Sequence, residues 1–244
     1  MDHIKEFQQQ KDKRIQEQGK SAKLKSATDK FILESIDSEY SYNFSWMGRP
    51  IIQYPQDIIA MQELIWDIKP DLIIETGIAH GGSLIFSASM LELLGGNGHV
   101  LGIDIDIREH NKIEIEKHPM AKRISMIQGS SIDAGTIAQV EKFAKGKERI
   151  LVCLDSNHTH AHVLQELELY SPFVSLNSYL VVFDTIVEDW PKGTVKNRPW
   201  DKGDNPKTAV WEFLKMHKEF EIDKSIQNKL LITVAPDGYL KRIK

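Results

Sequence analysis

Five short runs rich in Val, Ile and Leu punctuate the chain: DLIIET (71–76), HVLGIDI (99–105), RISMIQ (123–128), RILVCLD (149–155) and SYLVVFD (178–184). None alternates cleanly between apolar and polar residues. That pattern fits strands covered on both faces, as in a parallel sheet. The stretches between them carry helical spacing: Leu84, Ile85, Ala88 and Leu91 in one, Val163, Leu164 and Leu167 in another. Strands alternating with helices predict right-handed βαβ units and a doubly wound α/β sheet with helices on both faces. After Asp184 the rhythm changes. A loop bearing Pro, Gly and Trp spans 190–206, and a helix is predicted over 207–218. The runs FEIDKS (220–225) and LLITVAP (230–236) are then predicted to form an antiparallel hairpin at the sheet edge. Residues 1–30 are rich in Lys, Gln and Glu, and read as a solvated helix, a frayed arm or a subunit contact. No repeat or Gly/Ser linker divides the chain. It therefore reads as a charged helical arm over 1–43 followed by one domain over 44–244.

Composition narrows the function classes. The 244 residues hold 31 Lys and Arg against 35 Asp and Glu, a net charge of −4. Bulk charge thus argues against a nucleic-acid partner. Cys153 is the only cysteine, which excludes an intrachain disulfide framework and a Cys-based zinc site. No apolar run reaches the ~18–20 residues of a membrane span, and residues 1–14 lack the apolar core of a secretory signal. A cytoplasmic protein without a membrane span is expected.

The chemistry gathers at strand ends. Asp104, Asp155 and Asp184 close three of the runs, and Glu75 stands one residue before the end of a fourth. In open parallel sheets this edge faces the ligand crevice. Carboxylates there are costly to bury unless something pairs with them. The segment IIETGIAHGGS (73–83) reads strand, Gly-rich turn, helix. Gly77, Gly81 and Gly82 let backbone approach a ligand, and the helix start offers free N–H groups. The spacing G-x-x-x-G-G is not the G-x-G-x-x-G of dinucleotide folds, and a carboxylate beside the turn would repel phosphate. S-adenosylmethionine, with a sulfonium, an ammonium and a carboxylate but no phosphate, suits it better. Asp104 in GIDID (102–106) is placed to accept from ribose hydroxyls, with Asp106 as its rival. Gly129 and Ser130 are placed to line adenine, while Asp133 reads as a helix cap.

The segment LDSNHTHAHV (154–163) sets Asp155 three residues before His158, with His160 and His162 close behind. An acid and an imidazole at this spacing either share a divalent ion or divide into ligand and general base. Asp184, on the neighbouring strand, is expected near Asp155. Two carboxylates with water suit Mg²⁺. Three histidines point instead to Zn²⁺ or Fe²⁺, although on a helix start their side chains fan apart and at most two can share an ion.

Together these blocks resemble the cephalosporin hydroxylase / rhamnosyl O-methyltransferase family from about Phe44 to the C-terminus. The matching stretches are SWMGRPIIQYPQD (45–57), KPDLIIETGIAHGGS (69–83), GIDIDIR (102–108), GSSID (129–133), LDSNHTHAHV (154–163), SYLVVFDT (178–185), NPKTAVWEFL (205–214) and DGYLKR (237–242). The resemblance implies a Rossmann-like class I methyltransferase fold: a seven-stranded, mostly parallel sheet with a reversed edge strand. It also implies S-adenosylmethionine as donor and a Mg²⁺-assisted transfer to a hydroxyl, on a sugar or natural-product acceptor. Donor contacts then fall on Glu75, Gly77, Gly81, Gly82 and Ser83, and the ribose acid on Asp104; His80 in the same turn and Ser130 at the adenine complete the expected cofactor-binding set. The metal falls on Asp155 and Asp184, and the base on His158, with Asp155 beside it in the catalytic pair. One departure is visible. The last-strand metal pair, usually Glu-Asp, reads Phe183-Asp184 here. Glu188 or Asp189 in the next loop is a candidate replacement. A donor-binding accessory subunit without turnover is the alternative that Phe183 favours. Trp190, Trp200 and Trp211 belong to a predicted acceptor lid, with a core role open for Trp211. A homo-oligomer is expected.

Overall fold

The structure, a computed structural model, describes residues 2–244. Two helices open the chain, α1 (His3–Gly19) and α2 (Ala22–Asp37). Asp2 and Ser21 cap them by accepting from Lys5 N and Leu24 N. They are docked: Gln18 Nε2 donates to Asn228 O and Lys229 O, and Ile32 is buried in the core. A two-stranded ribbon follows, β1 (Ser45–Trp46) with β2 (Arg49–Pro50), and then α3 (Pro55–Ile68).

The five apolar runs all become parallel strands: β3 (Leu72–Thr76), β4 (His99–Asp104), β5 (Ile124–Gln128), β6 (Ile150–Leu154) and β7 (Tyr179–Val182). Between them lie α4 (Gly82–Leu94), α5 (Glu109–Lys117), α6 (Ala134–Ala144) and α7 (His160–Tyr170). The period of two in a strand explains the unbroken apolar runs. Ile73, Val100, Leu151 and Val181 face one core, shared with Leu64 of α3 and Leu84 and Ile85 of α4. Their neighbours Leu72, Ile74, Leu101, Val152 and Leu180 face the other, shared with Val140 of α6 and Val163 and Leu167 of α7. The apolar residues of these strands thus find packing partners on both faces of the sheet.

The chain closes with α8 (Pro206–Met216), β8 (Phe220–Ile222), α9 (Lys224–Leu230) and β9 (Tyr239–Arg242). The sheet has seven strands in the order β5-β4-β3-β6-β7-β9-β8. It is a mostly parallel, Rossmann-like α/β sheet, as expected. The reversed strand differs in two respects. It is DGYLKR that supplies it, and LLITVAP is not a strand. Asp223 caps α9 by accepting from Ser225 N, so the supposed turn is helical. Beyond α9, Thr233 Oγ1 and Val234 N donate to the buried Asp57, which satisfies this segment without a ladder. The reversed strand is also not the edge. β9 lies between β7 and β8, antiparallel to both. Among the described residues no helix is long and apolar enough to cross a membrane.

Candidate active site

Strand register brings the predicted acids to one rim. Gly77 N donates to Ile103 O, Asp155 N to Thr76 O, Phe183 N to Leu154 O and Gly129 N to Asp104 O, so the ladder runs level to the carboxyl ends of five strands. The turn after β3 is tightly held there. Gly77 has φ +89°, and a Cβ on it would lie 2.0 Å from the backbone oxygen of Asp155. A Cβ on Gly82 would lie 2.1 Å from Pro50 O, and one on Gly81 2.3 Å from Ile115 Cδ1. Gly77 and Gly82 are therefore required by the neighbouring main chain, and Gly81 by its φ of +80°, before any ligand is considered. Arg49 donates to His80 O and Asn111 Oδ1, and Asn111 Nδ2 to Ala79 O, which pins the turn from outside.

Asp104 Oδ2 accepts from Ile78 N at 2.7 Å and from Ala79 N at 3.3 Å; its Oδ1 accepts from Asp106 N at 2.9 Å. It thus shapes the turn, with lone pairs left on the side of a 140 Å³ hollow that Ser130, Ser131 and His162 also line. Asp106 is exposed and faces Arg108. Asp133 caps α6, as read from the sequence. No side chain caps α4, whose N-terminus opens where Gly82 and Ser83 line the larger cleft. That leaves donors for a carboxylate. Glu75 is buried and accepts from Ser83 Oγ, and burial raises its pKa to about 7.

The larger cleft, about 610 Å³, runs from the glycine turn across the ends of β6 and β7 to the segment 194–200. At its floor one ligand atom each of Asp155, His158 and Asp184 lies within 4.8 Å of the others. His158 Nε2 is 3.2 Å from Asp184 Oδ2, and its ring meets Trp200 edge-on with centroids 4.7 Å apart. Burial first, then the carboxylates of Asp184 and Glu75, push Asp155 well above the usual carboxylate range. Asp184 sits in the left-handed region at φ 54°, a conformation that Asp tolerates but that packing must hold. A cluster of acids with this electrostatic cost fits a divalent cation, and the donor set of two carboxylates and an imidazole suits one.

Several expectations separate here. Phe183 follows β7, its N donating to Leu154 O, but its side chain is buried among core residues and offers no ligand. Glu188 and Asp189 do not replace it. Glu188 Oε2 accepts from Asn205 Nδ2 and Gly203 N, while Asp189 pairs with Lys207 Nζ at 2.7 Å, so both are consumed in holding α8. His160 bonds Thr208 Oγ1 and His162 bonds Ser131 Oγ, so the three histidines fan apart. Trp190 and Trp200 line the cleft; Trp211 does not, since it lies half-exposed on α8 with Nε1 donating to Asp237. The sequence reading gave no role to Gln53 and Tyr54 or to Lys196 and Arg198, all of which line the cleft. The block PIIQYPQD was the available signal for the first pair. Nothing in spacing marked the second.

This strand order, glycine turn and acid rim define a class I methyltransferase. The comparisons agree. The model of the rhamnosyl O-methyltransferase/CmcI family matches residues 38–243. A curated rhamnosyl O-methyltransferase of Mycobacterium tuberculosis is 27% identical over 221 residues, 86% of this chain and 85% of that protein. An apo structure of CmcI aligns with a TM-score of 0.60 at 18% identity, over 83% of this chain and 77% of that one. A Mg–SAM structure of CmcI aligns at 0.58 and 19% identity, over 83% and 78%. The chain belongs to the rhamnosyl O-methyltransferase/CmcI family and is an S-adenosylmethionine-dependent O-methyltransferase.

Proposed function

We propose that the acceptor is a hydroxyl of a sugar-bearing molecule and that Mg²⁺ assists the transfer. The carrying observation is the convergence of Asp155, His158 and Asp184 at the cleft floor, beside the glycine turn. The sugar is supported by the relatives named rhamnosyl O-methyltransferase, and by two indoles, Trp190 and Trp200, in the cleft wall.

S-adenosylmethionine supplies an activated methyl group, and Mg²⁺ lowers the pKa of a hydroxyl near it. The chain does the rest. Glu75, Gly77, His80, Gly81, Gly82 and Ser83 hold the amino-acid end of the donor, and Asp104 and Ser130 its nucleoside. Asp155 and Asp184 hold the ion. His158 takes the hydroxyl proton, with Asp184 and Trp200 fixing its ring. The segment over 190–200 closes the acceptor side and limits water. Phe183 lends little to the accessory-subunit reading, because three other ligand atoms converge without it.

A second reading gives His158 to the metal as a third ligand, which its place within the 4.8 Å cluster favours. The test is transfer of labelled methyl to a rhamnosyl glycoside with Mg²⁺, repeated with EDTA and with His158→Asn. Transfer lost in EDTA and restored by Mg²⁺ is expected. A base at 158 predicts a roughly 10²–10⁴-fold loss of turnover with Mg²⁺ affinity unchanged; a ligand predicts weaker Mg²⁺ binding. Donor binding without transfer to any sugar would return the accessory reading.

A further inference from the structure

Gln53 is buried, only 7% exposed, yet its Oε1 has no hydrogen-bond partner among the described residues. A buried amide oxygen left unpaired is destabilising, so its position calls for a ligand N–H or O–H. Its surroundings say which. Behind the cleft lies a chamber of about 20 Å³ that also holds Glu75. Gln53, Ser83 and Asp155 line both spaces, so Gln53 stands at the passage between the glycine turn and the rim.

Three hydrogen donors compete for this oxygen. An acceptor hydroxyl must reach His158 and Asp184, which line the cleft that Gln53 also lines, and it would show as an effect on acceptor KM alone. A single water fits a chamber of this size. The third is an α-ammonium. The uncapped start of α4 at Gly82 and Ser83 suits a carboxylate. In an α-amino acid the ammonium lies one carbon from the carboxylate, so its partner must stand beside that helix start. Ser83, in the first turn of α4, and Gln53 share both linings. Glu75 Oε1 already accepts from Ser83 Oγ, so the unpaired Gln53 Oε1 is an acceptor beside it rather than a replacement for it.

We infer that Gln53 Oε1 accepts from the α-ammonium of the donor's methionine end, making Gln53 a specificity-determining residue for the donor. This rests on the proposed seating of the donor at the 77–83 turn. The uncharged amide supplies an acceptor without adding a further carboxylate to the neighbourhood of Asp155 and Glu75.

Calorimetric titration separates the possibilities with two ligands: S-adenosylhomocysteine, and 5′-methylthioadenosine, which lacks both ammonium and carboxylate. Gln53→Leu is expected to weaken S-adenosylhomocysteine roughly 10- to 100-fold, the range for hydrogen bonds to charged groups, and to leave 5′-methylthioadenosine within about 2-fold. If the leucine variant does not fold, Gln53→Asn, with its oxygen withdrawn by one methylene, is expected to show the same selective loss. Unchanged S-adenosylhomocysteine binding, equal loss of both ligands, or an effect confined to acceptor KM would overturn the assignment. No binding of S-adenosylhomocysteine by wild type would instead overturn the donor seating itself.

Discussion

The two halves of the cleft, proposed above to take donor and acceptor, are built differently. The half proposed for the donor is mostly backbone. Its turn is set by Gly77 and Gly82, by N–H groups at Ile78 and Ala79 bonded to Asp104, and by strand ends in register. The acceptor half is side chains: His158 on the loop between β6 and α7, and Trp190, Lys196, Arg198 and Trp200 on the long irregular segment that follows a 3₁₀ turn at Thr185–Asp189. That segment is tied down locally, by the Asp201–Asp204 bridge and by Glu188 bonding to Gly203 and Asn205. A site made of backbone tolerates few substitutions, because the neighbouring main chain cannot move away. A site made of side chains on a loop can change its specificity without disturbing the sheet.

The sharpest test of this contrast is Gly77→Ala. Its Cβ would meet the Asp155 backbone, and its φ of +89° is strained for any L side chain. A loss of about 4 kcal/mol is expected, lowering Tm by roughly 10 °C, together with donor affinity. A variant as stable as wild type would show that the turn is soft. Next is Glu75→Gln. Burial raises the Glu75 pKa from 4.5 to about 7, so between those values the folded chain holds a proton that the unfolded chain releases. Stability from this group is therefore present at low pH and lost as pH rises through about 7. Removing the charge should stabilise the protein by about 3 kcal/mol at pH 8, with the gain shrinking toward pH 5. Denaturant melts at both pH values check this, and an equal effect at the two would contradict it.

The smallest expected effect falls on the acceptor half. Trp200→Ala should raise acceptor KM about 10-fold and lower turnover, because the indole also braces His158. Stability and S-adenosylhomocysteine affinity should stay within about 2-fold in binding and 1 kcal/mol in folding. A large loss of donor binding in this variant would mean that the two halves are coupled through the shared floor at Asp155.

Much of the donor half was legible before folding was considered. The runs that carry Glu75, Asp104 and Asp155 are strands because Val, Ile and Leu on both faces require two cores, and both exist. The glycine spacing marked the turn. The acceptor half was less legible. Asp184 and His158 were placed by their strand-end positions, yet nothing linear separates Trp200, which lines the cleft, from Trp211, which does not. Glu188 and Asp189 looked equally available as ligands, and only packing shows that Asn205 and Lys207 already claim them.

The sequence by itself determined the parallel strands, the carboxylate rim and the kind of ligand the glycine turn suits, because these follow from local periodicity and from the fixed direction of strand ends. The tertiary structure alone decided three things. It placed β9 inside the sheet rather than at its edge. It turned the 230–236 run into a tether on Asp57 rather than a strand. It brought Gln53, from the segment before α3, to the wall of a cleft whose acids come from β6 and β7. Each depends on contacts between residues far apart in the chain, and those contacts are set by which surfaces remain to be covered once the two cores have formed.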